Sequence, residues 1–161
     1  MANFTTKQLR KLMEISKEPL FFANTIIKAY KIPRRRLTYL QWKMNPEKRK
    51  GRWHHWRIID LFWFQILTEL NKKLSLEDIK PIEKLIEPIF NNLEQFKNLV
   101  AGKRVFIILK DKFCYIRPSI DDVSDYINYS DNEVCVILPI RFAFCGWENL
   151  LQKGSSVIGL G

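Results

Sequence analysis

IIKAYKIPRRRLTYLQWKMNPEKRKGRWHHWRIIDL, residues 26–61, decides how this chain is read. Phe22, Ile26, Ile27 and Tyr30 fall at helical intervals, which predicts a helix over about 20–30. Ile32-Pro33 interrupts it. A proline suits the first turn of a new helix, where its missing N–H is no loss. Arg34 to Lys43 continues that helix, with Leu37 and Leu40 facing inward. Two short helices are therefore joined by a tight break, and the second opens on three arginines. Asn45-Pro46 then starts a turn, and Gly51 sits among basic residues. Bulky and polar groups alternate from Arg52 to Trp56, so 45–56 reads as a basic hairpin. A long helix over about 58–73 follows, with Ile59, Phe62, Trp63, Ile66, Leu67 and Leu70 as a wide apolar stripe. Leu61 and Phe64 lie off that stripe, so a second side of the helix should be covered too.

The charge is concentrated in the same stretch. The whole chain has 27 Lys and Arg against 17 Asp and Glu, a formal +10. Residues 28–57 hold 11 of the basic side chains and one acid, Glu47, so the remainder of the sequence balances to zero. Packing the excess into one segment costs self-repulsion, which a polyanion would offset. Nucleic acid is the commonest such partner, because each neutralised phosphate releases counterions. No basic amphipathic helix with a wide apolar face accompanies the charge, which argues against a membrane surface.

Outside this stretch, Thr5 and Gln8 have capping-box spacing ahead of Leu9, Leu12 and Met13, predicting a helix over 6–17. Ser75 and Asp78 form a second such box. Ile79, Ile82, Ile86, Ile89, Leu93, Phe96 and Val100 then follow at alternating spacings of three and four, a heptad seam suited either to a dimer or to the chain's own core. Pro88 interrupts this run and is expected to begin a separate helix, 88–100. After Gly102 the pattern changes. Val105 to Leu109 and Phe113 to Arg117 read as a hairpin, Ser119 caps an acidic helix over 120–128, and Val134 to Leu138 reads as a strand buried on both faces. Pro139 should perturb that strand before it resumes at 141–144, and a last helix is expected over 146–153. The expected fold class is α+β, with a mainly helical domain over 1–101 and a small α/β domain over 102–161 for oligomerisation, an effector or a protein partner.

Composition excludes several classes. With 47% apolar and 13% aromatic residues, and only 6 Gly and 7 Pro, the chain is neither disordered nor collagen-like. No apolar run approaches the roughly 18 residues of a membrane span. The opening MANFTTKQLRKLMEISK lacks the pattern of a secretory signal. Cys114, Cys135 and Cys145 form no CxxC pair and read as reduced thiols, so a cytoplasmic, nucleoid-associated protein is expected. Acidic residues sit mainly at helix starts, and no phosphate loop, Cys/His dyad or HExxH motif occurs, so neither an enzyme nor a metal or cofactor site is expected. RNA is the nearest rival partner, through Phe106, Phe113 and Tyr115. That hairpin reads as not basic, which points it toward a core or oligomer role.

Helix, tight turn, arginine-led helix and basic hairpin form the pattern by which winged helix-turn-helix proteins grip DNA. In this order the segments resemble the DNA-binding domain of the MerR family. IIKAYKIPRRRLTYLQ (26–41) is similar to its first two helices, GRWHHWRIIDL (51–61) to its wing and the start of its third helix, and LSLEDI (74–79) to the opening of its fourth. The resemblance covers about 40% of the chain, over 23–86. This sequence departs from the family in having Pro33 where a Ser or Thr cap is usual, Leu40 in place of a second aromatic, Lys73 in place of a glycine, and an added helix over 6–17. The resemblance implies sequence-specific binding of double-stranded DNA in transcription control, by a homodimer. A related fold also serves excisionase-like architectural proteins of phages. It places Arg35, Arg36, Thr38 and Tyr39 on the recognition helix, and His54 and His55 at the wing between Trp53 and Trp56. Arginine suits paired contacts to guanine, so Arg35 and Arg36 are the expected base readers. Arg34, Lys43, Lys48, Arg49, Lys50, Arg52 and Arg57 complete the expected DNA-binding set with Trp53, His54 and His55. Trp53 and Trp56 suit two roles, packing the wing on the third helix or lying against the sugar-phosphate backbone, and packing is the ordinary one for both.

Overall fold

Local capping starts the chain's order. Thr5 donates its N–H to Gln8 Oε1 at 2.8 Å, and Gln8 donates its own to Thr5 Oγ1 at 3.3 Å. This reciprocal box satisfies two otherwise unpaired donors and opens α1 (Thr6–Ile15), which buries Leu9, Leu12 and Ile15. The computed structural model describes residues 4–44, 55–72, 74–110, 113–117, 119–129, 135–142, 144 and 146–153. After α1 come α2 (Ala23–Tyr30), α3 (Arg34–Met44), α4 (Ile58–Leu70), α5 (Leu76–Asn91) and α6 (Leu93–Val100). The rest is β1 (Arg104–Lys110), β2 (Phe113–Arg117), α7 (Ile120–Tyr129), β3 (Val136–Arg141) and α8 (Trp147–Lys153). The fold is mixed α+β, dominated by helices.

The hub is α4. Ile58, Ile59, Leu61, Phe62, Trp63, Phe64, Ile66, Leu67 and Leu70 are all buried. A helix that is apolar all round must be covered all round, and here α5 packs along it. Ring contacts tie it to the rest, since Phe62 meets Phe90 at 5.8 Å and Phe142 at 5.0 Å, while Phe96 of α6 meets Trp147 of α8 at 5.5 Å. One buried cluster runs from Leu9 to Leu150 and includes Val105, Ile107 and Ile140. Residues on both sides of position 102 therefore share a core. Gly146 is buried under the Phe144 ring, where an added Cβ would come within 2.7 Å of Phe144 Cζ.

Several expected boundaries are corrected. The helix expected from about 20 begins at Ala23, because Leu20 and Phe21 are extended and hydrogen-bonded to Trp56. Phe22 consequently lies at the cap position, 45% exposed, instead of on the inner face. Helix α1 stops at Ile15 and α4 at Leu70, each short of the expected ends at 17 and 73. Pro88 does not begin a new helix. Both Pro81 and Pro88 lie inside α5, and the break falls at Asn92. An interior proline costs about 3 kcal/mol. Ile82, Ile86, Ile89 and Phe90 are buried on the same helix, and each contributes about 1.5–3 kcal/mol, so packing outweighs the local penalty. Asn92 then accepts from Glu94 N at 3.1 Å and Gln95 N at 3.0 Å, capping α6. The heptad seam is taken up within the chain, since Ile79, Ile82, Ile86, Ile89 and Phe96 all belong to its own core.

The sheet is antiparallel with strand order β2-β1-β3. The expected hairpin is present, and Ser119 caps α7 with Asp122 as its reciprocal partner. Strand β3 departs from expectation. It passes straight through Pro139 to Arg141, and much of it is exposed instead of buried on both faces. As an edge strand it tolerates a residue that cannot donate to a ladder.

Candidate nucleic-acid interface

The turn between α2 and α3 is tight because Lys31 adopts φ 50°, ψ 43°, the left-handed conformation that ends many helices. Both Lys31 and Ile32 donate backbone N–H groups to Ile27 O. Pro33 O accepts from Arg36 N at 2.9 Å and Leu37 N at 3.2 Å, closing the first turn of α3. Among the described side chains of α3, Leu37 alone is buried, at 2% exposure. It fixes the rotation of the helix. Arg34, Arg35, Arg36, Thr38 and Tyr39 are all left exposed. Arg34, Arg35, Thr38 and Tyr39 line an open, shallow depression. Thr38 donates its hydroxyl to Arg34 O at 3.0 Å, so its oxygen remains an acceptor. Lys43 lies in the last turn of α3.

The electrostatics of this end are unusual for a helix. Its first turn has no acid and carries three guanidinium groups. A helix N-terminus already bears partial positive charge, so each added cation works against the helix. Lys28 and Lys31 are exposed beside them. Among the described residues the one salt bridge is Arg57–Asp60 at 2.7 Å. The other cations of 28–36 have no carboxylate within ion-pair distance among those residues.

The returning arm of the expected hairpin is anchored at Trp56. Leu20 N and Phe21 N both donate to Trp56 O, at 3.0 and 2.9 Å, and Trp56 N donates to Phe21 O at 2.7 Å. The Trp56 ring is 1% exposed and meets Phe64 edge-on at 5.9 Å, so of its two expected roles it takes the packing one. Tyr30 also packs on Phe64, at 5.6 Å, and burial pushes its hydroxyl up to about 12. His55 is half-buried against Phe22 at 4.5 Å. Arg57 caps α4 with Asp60. Its backbone N–H, Nε and Nη2 all reach that carboxylate, and this hydrogen bonding raises its already high pKa. Much of its charge is thus answered inside the protein. Lys48, Arg49, Lys50, Arg52, Trp53 and His54 lie outside the described residues.

Sequence reasoning missed the pairing of exposed Phe22 with half-buried His55. Its signal was the extended Leu20-Phe21 step, which only the pairing with distant Trp56 reveals. Among the described residues, no three His, Cys, Asp or Glu side chains gather as a metal ion would need. No helix among them is long and apolar enough to cross a membrane. Comparison with protein-family models, with curated proteins and with solved structures found no match.

Proposed function

We propose that this chain binds specific double-stranded DNA through α3, in the manner of a MerR-like winged helix-turn-helix, and so controls transcription. One observation carries the reading. Three exposed arginines stand at the positive end of a helix, without an acid in its first turn. Phosphate or guanine edges relieve that repulsion, and the buried Leu37 holds the arginines toward solvent. Arg35 and Arg36 read bases, Arg34, Lys28 and Lys31 meet phosphates, and Thr38 and Tyr39 border the contact. A second copy would double the contact on a symmetric site, and it would pair through a surface other than the α5–α6 seam, which the chain's own core occupies.

The test is selection of bound duplexes from a random pool, followed by mobility shifts on the winners. A preferred sequence should emerge. Arg35→Ala with Arg36→Ala should erase the preference, since each good paired contact carries about 1–3 kcal/mol of discrimination. Unchanged shifts, or a pool that stays random, defeat the proposal.

A further inference from the structure

The pairing register of the sheet brings together side chains that are far apart in sequence. Directly opposite residues of an antiparallel pair share a face. Arg104 lies opposite Arg141, and Phe106 lies opposite both Arg117 and Pro139. Tyr115, opposite Ile108, is on that face too. The other face carries Val105, Ile107 and Ile140 into the core. The expectation that the hairpin is not basic concerned β1 and β2 alone, and the register adds Arg141 of β3 to the face they share.

Like charges directly opposite one another destabilise a sheet, and no carboxylate among the described residues lies within ion-pair distance of these three arginines. One guanidinium group is held in place and a second lies against the backbone. Arg117 donates from Nη1 to Ile116 O at 3.1 Å and lies 5.9 Å from the Tyr126 ring centre. Arg141 lies along the turn at Gly102, whose φ of 67° suits glycine, and a Cβ there would sit 3.3 Å from Arg141 Nη2. Helix α7 covers the β2 side through Tyr126, 5.9 Å from Tyr115, and Ile108 at the centre of this face is buried, which leaves the end with Arg104, Phe106, Pro139 and Arg141 as its open part. Asp121 and Asp125 on α7 are exposed and unpaired with the arginines. Pro139 is exposed, Tyr115 is 37% exposed and Phe106 is half-buried.

We propose that this outer sheet face is a second binding surface, for single-stranded nucleic acid. Cations flanking aromatic rings on a sheet match what a single strand offers: phosphates to neutralise, and bases with faces to stack. An acidic peptide would use the charges and leave the rings idle. The surface is separate from α3 and does not depend on the duplex reading.

The full chain is titrated by fluorescence anisotropy with labelled oligothymidylate and oligouridylate, the two arms separating DNA from RNA. Arg104→Gln with Arg141→Gln should weaken binding of at least one strand about tenfold and lower its salt slope by about 0.7 for each phosphate left unneutralised. Duplex binding should stay as in the wild type. Tyr115→Ala should cost about five- to tenfold. Arg35→Ala with Arg36→Ala should keep single-strand affinity, so failure of either surface can be told from failure of the other. In the unmodified protein, ultraviolet crosslinking to oligouridylate should give adducts at Phe106 or Tyr115, which guards against a misfolded variant. Single strands that fail to bind, sheet variants that bind like the wild type, adducts confined to 28–57, or equal competition by polyglutamate would overturn the proposal.

Discussion

Leu37 is where the orientation of α3 is decided, and replacing it by alanine tests that claim quantitatively. The side chain is 2% exposed on a helix whose other described side chains face water. Leu37→Ala removes about three buried carbon groups at about 0.8 kcal/mol each. It also leaves a cavity, so the loss should reach roughly 3 kcal/mol. For a chain of this size, each kcal/mol lowers the melting temperature by about 2–4 °C, giving an expected drop of roughly 6–12 °C. Arg35→Ala with Arg36→Ala, on the opposite face of the same helix, should stay within about 0.5 kcal/mol of wild type. Thermal melts by circular dichroism read both, and amide exchange over 34–44 reads any local loosening. If Leu37→Ala melts with the wild type and exchange over α3 is unchanged, Leu37 does not hold the helix. The orientation of the arginines would then need another cause.

Two further substitutions probe the surroundings. Asp60→Asn removes the carboxylate that caps α4 and holds Arg57 at 2.7 Å. Because the Arg57 side chain is 43% exposed, the ion pair adds little, and the cap sets an expected loss of about 1 kcal/mol, measured by urea denaturation. Burial raises the Tyr30 hydroxyl from its ordinary 10.0 to about 12. The unfolded chain therefore releases this proton first, and the contribution present below pH 10 is lost as pH climbs toward 12. Tyr30→Phe lacks that loss, so between about pH 9 and pH 11 its stability should improve relative to wild type by up to roughly 1 kcal/mol. Parallel pH profiles for the two proteins would count against burial as the cause.

What the sequence reveals and what it hides divide by distance along the chain. Thr5 with Gln8, Ser75 with Asp78, and Ser119 with Asp122 are legible because each cap closes within three residues. The hairpin of β1 and β2 is legible for the same reason. Pro88 misleads because its penalty is local, whereas the burial of Ile89 and Phe90 that overrides it comes from other elements. Phe22 is misplaced because its direction depends on Phe21 pairing with Trp56. The arginine run at 34–36 stands out in composition, but that no carboxylate among the described residues lies within ion-pair distance of it requires the fold. The meeting of Arg104 with Arg141 follows from the β1–β3 register, which no short window of sequence carries.

The rings of Phe62, Phe96, Phe142 and Trp147 bridge the helical part and the chain beyond β3, edge against face. No slack tether stands between α6 and β1, where the chain turns at Ala101 and Gly102 and enters the strand. The aromatic wedge therefore acts as a rigid hinge-pin. Cutting the gene at position 102 would separate Val105, Ile107, Ile140 and Trp147 from the helical residues that share their core. Trimming Phe142 would be felt at α4 and α8 together, through Phe62 and Trp147.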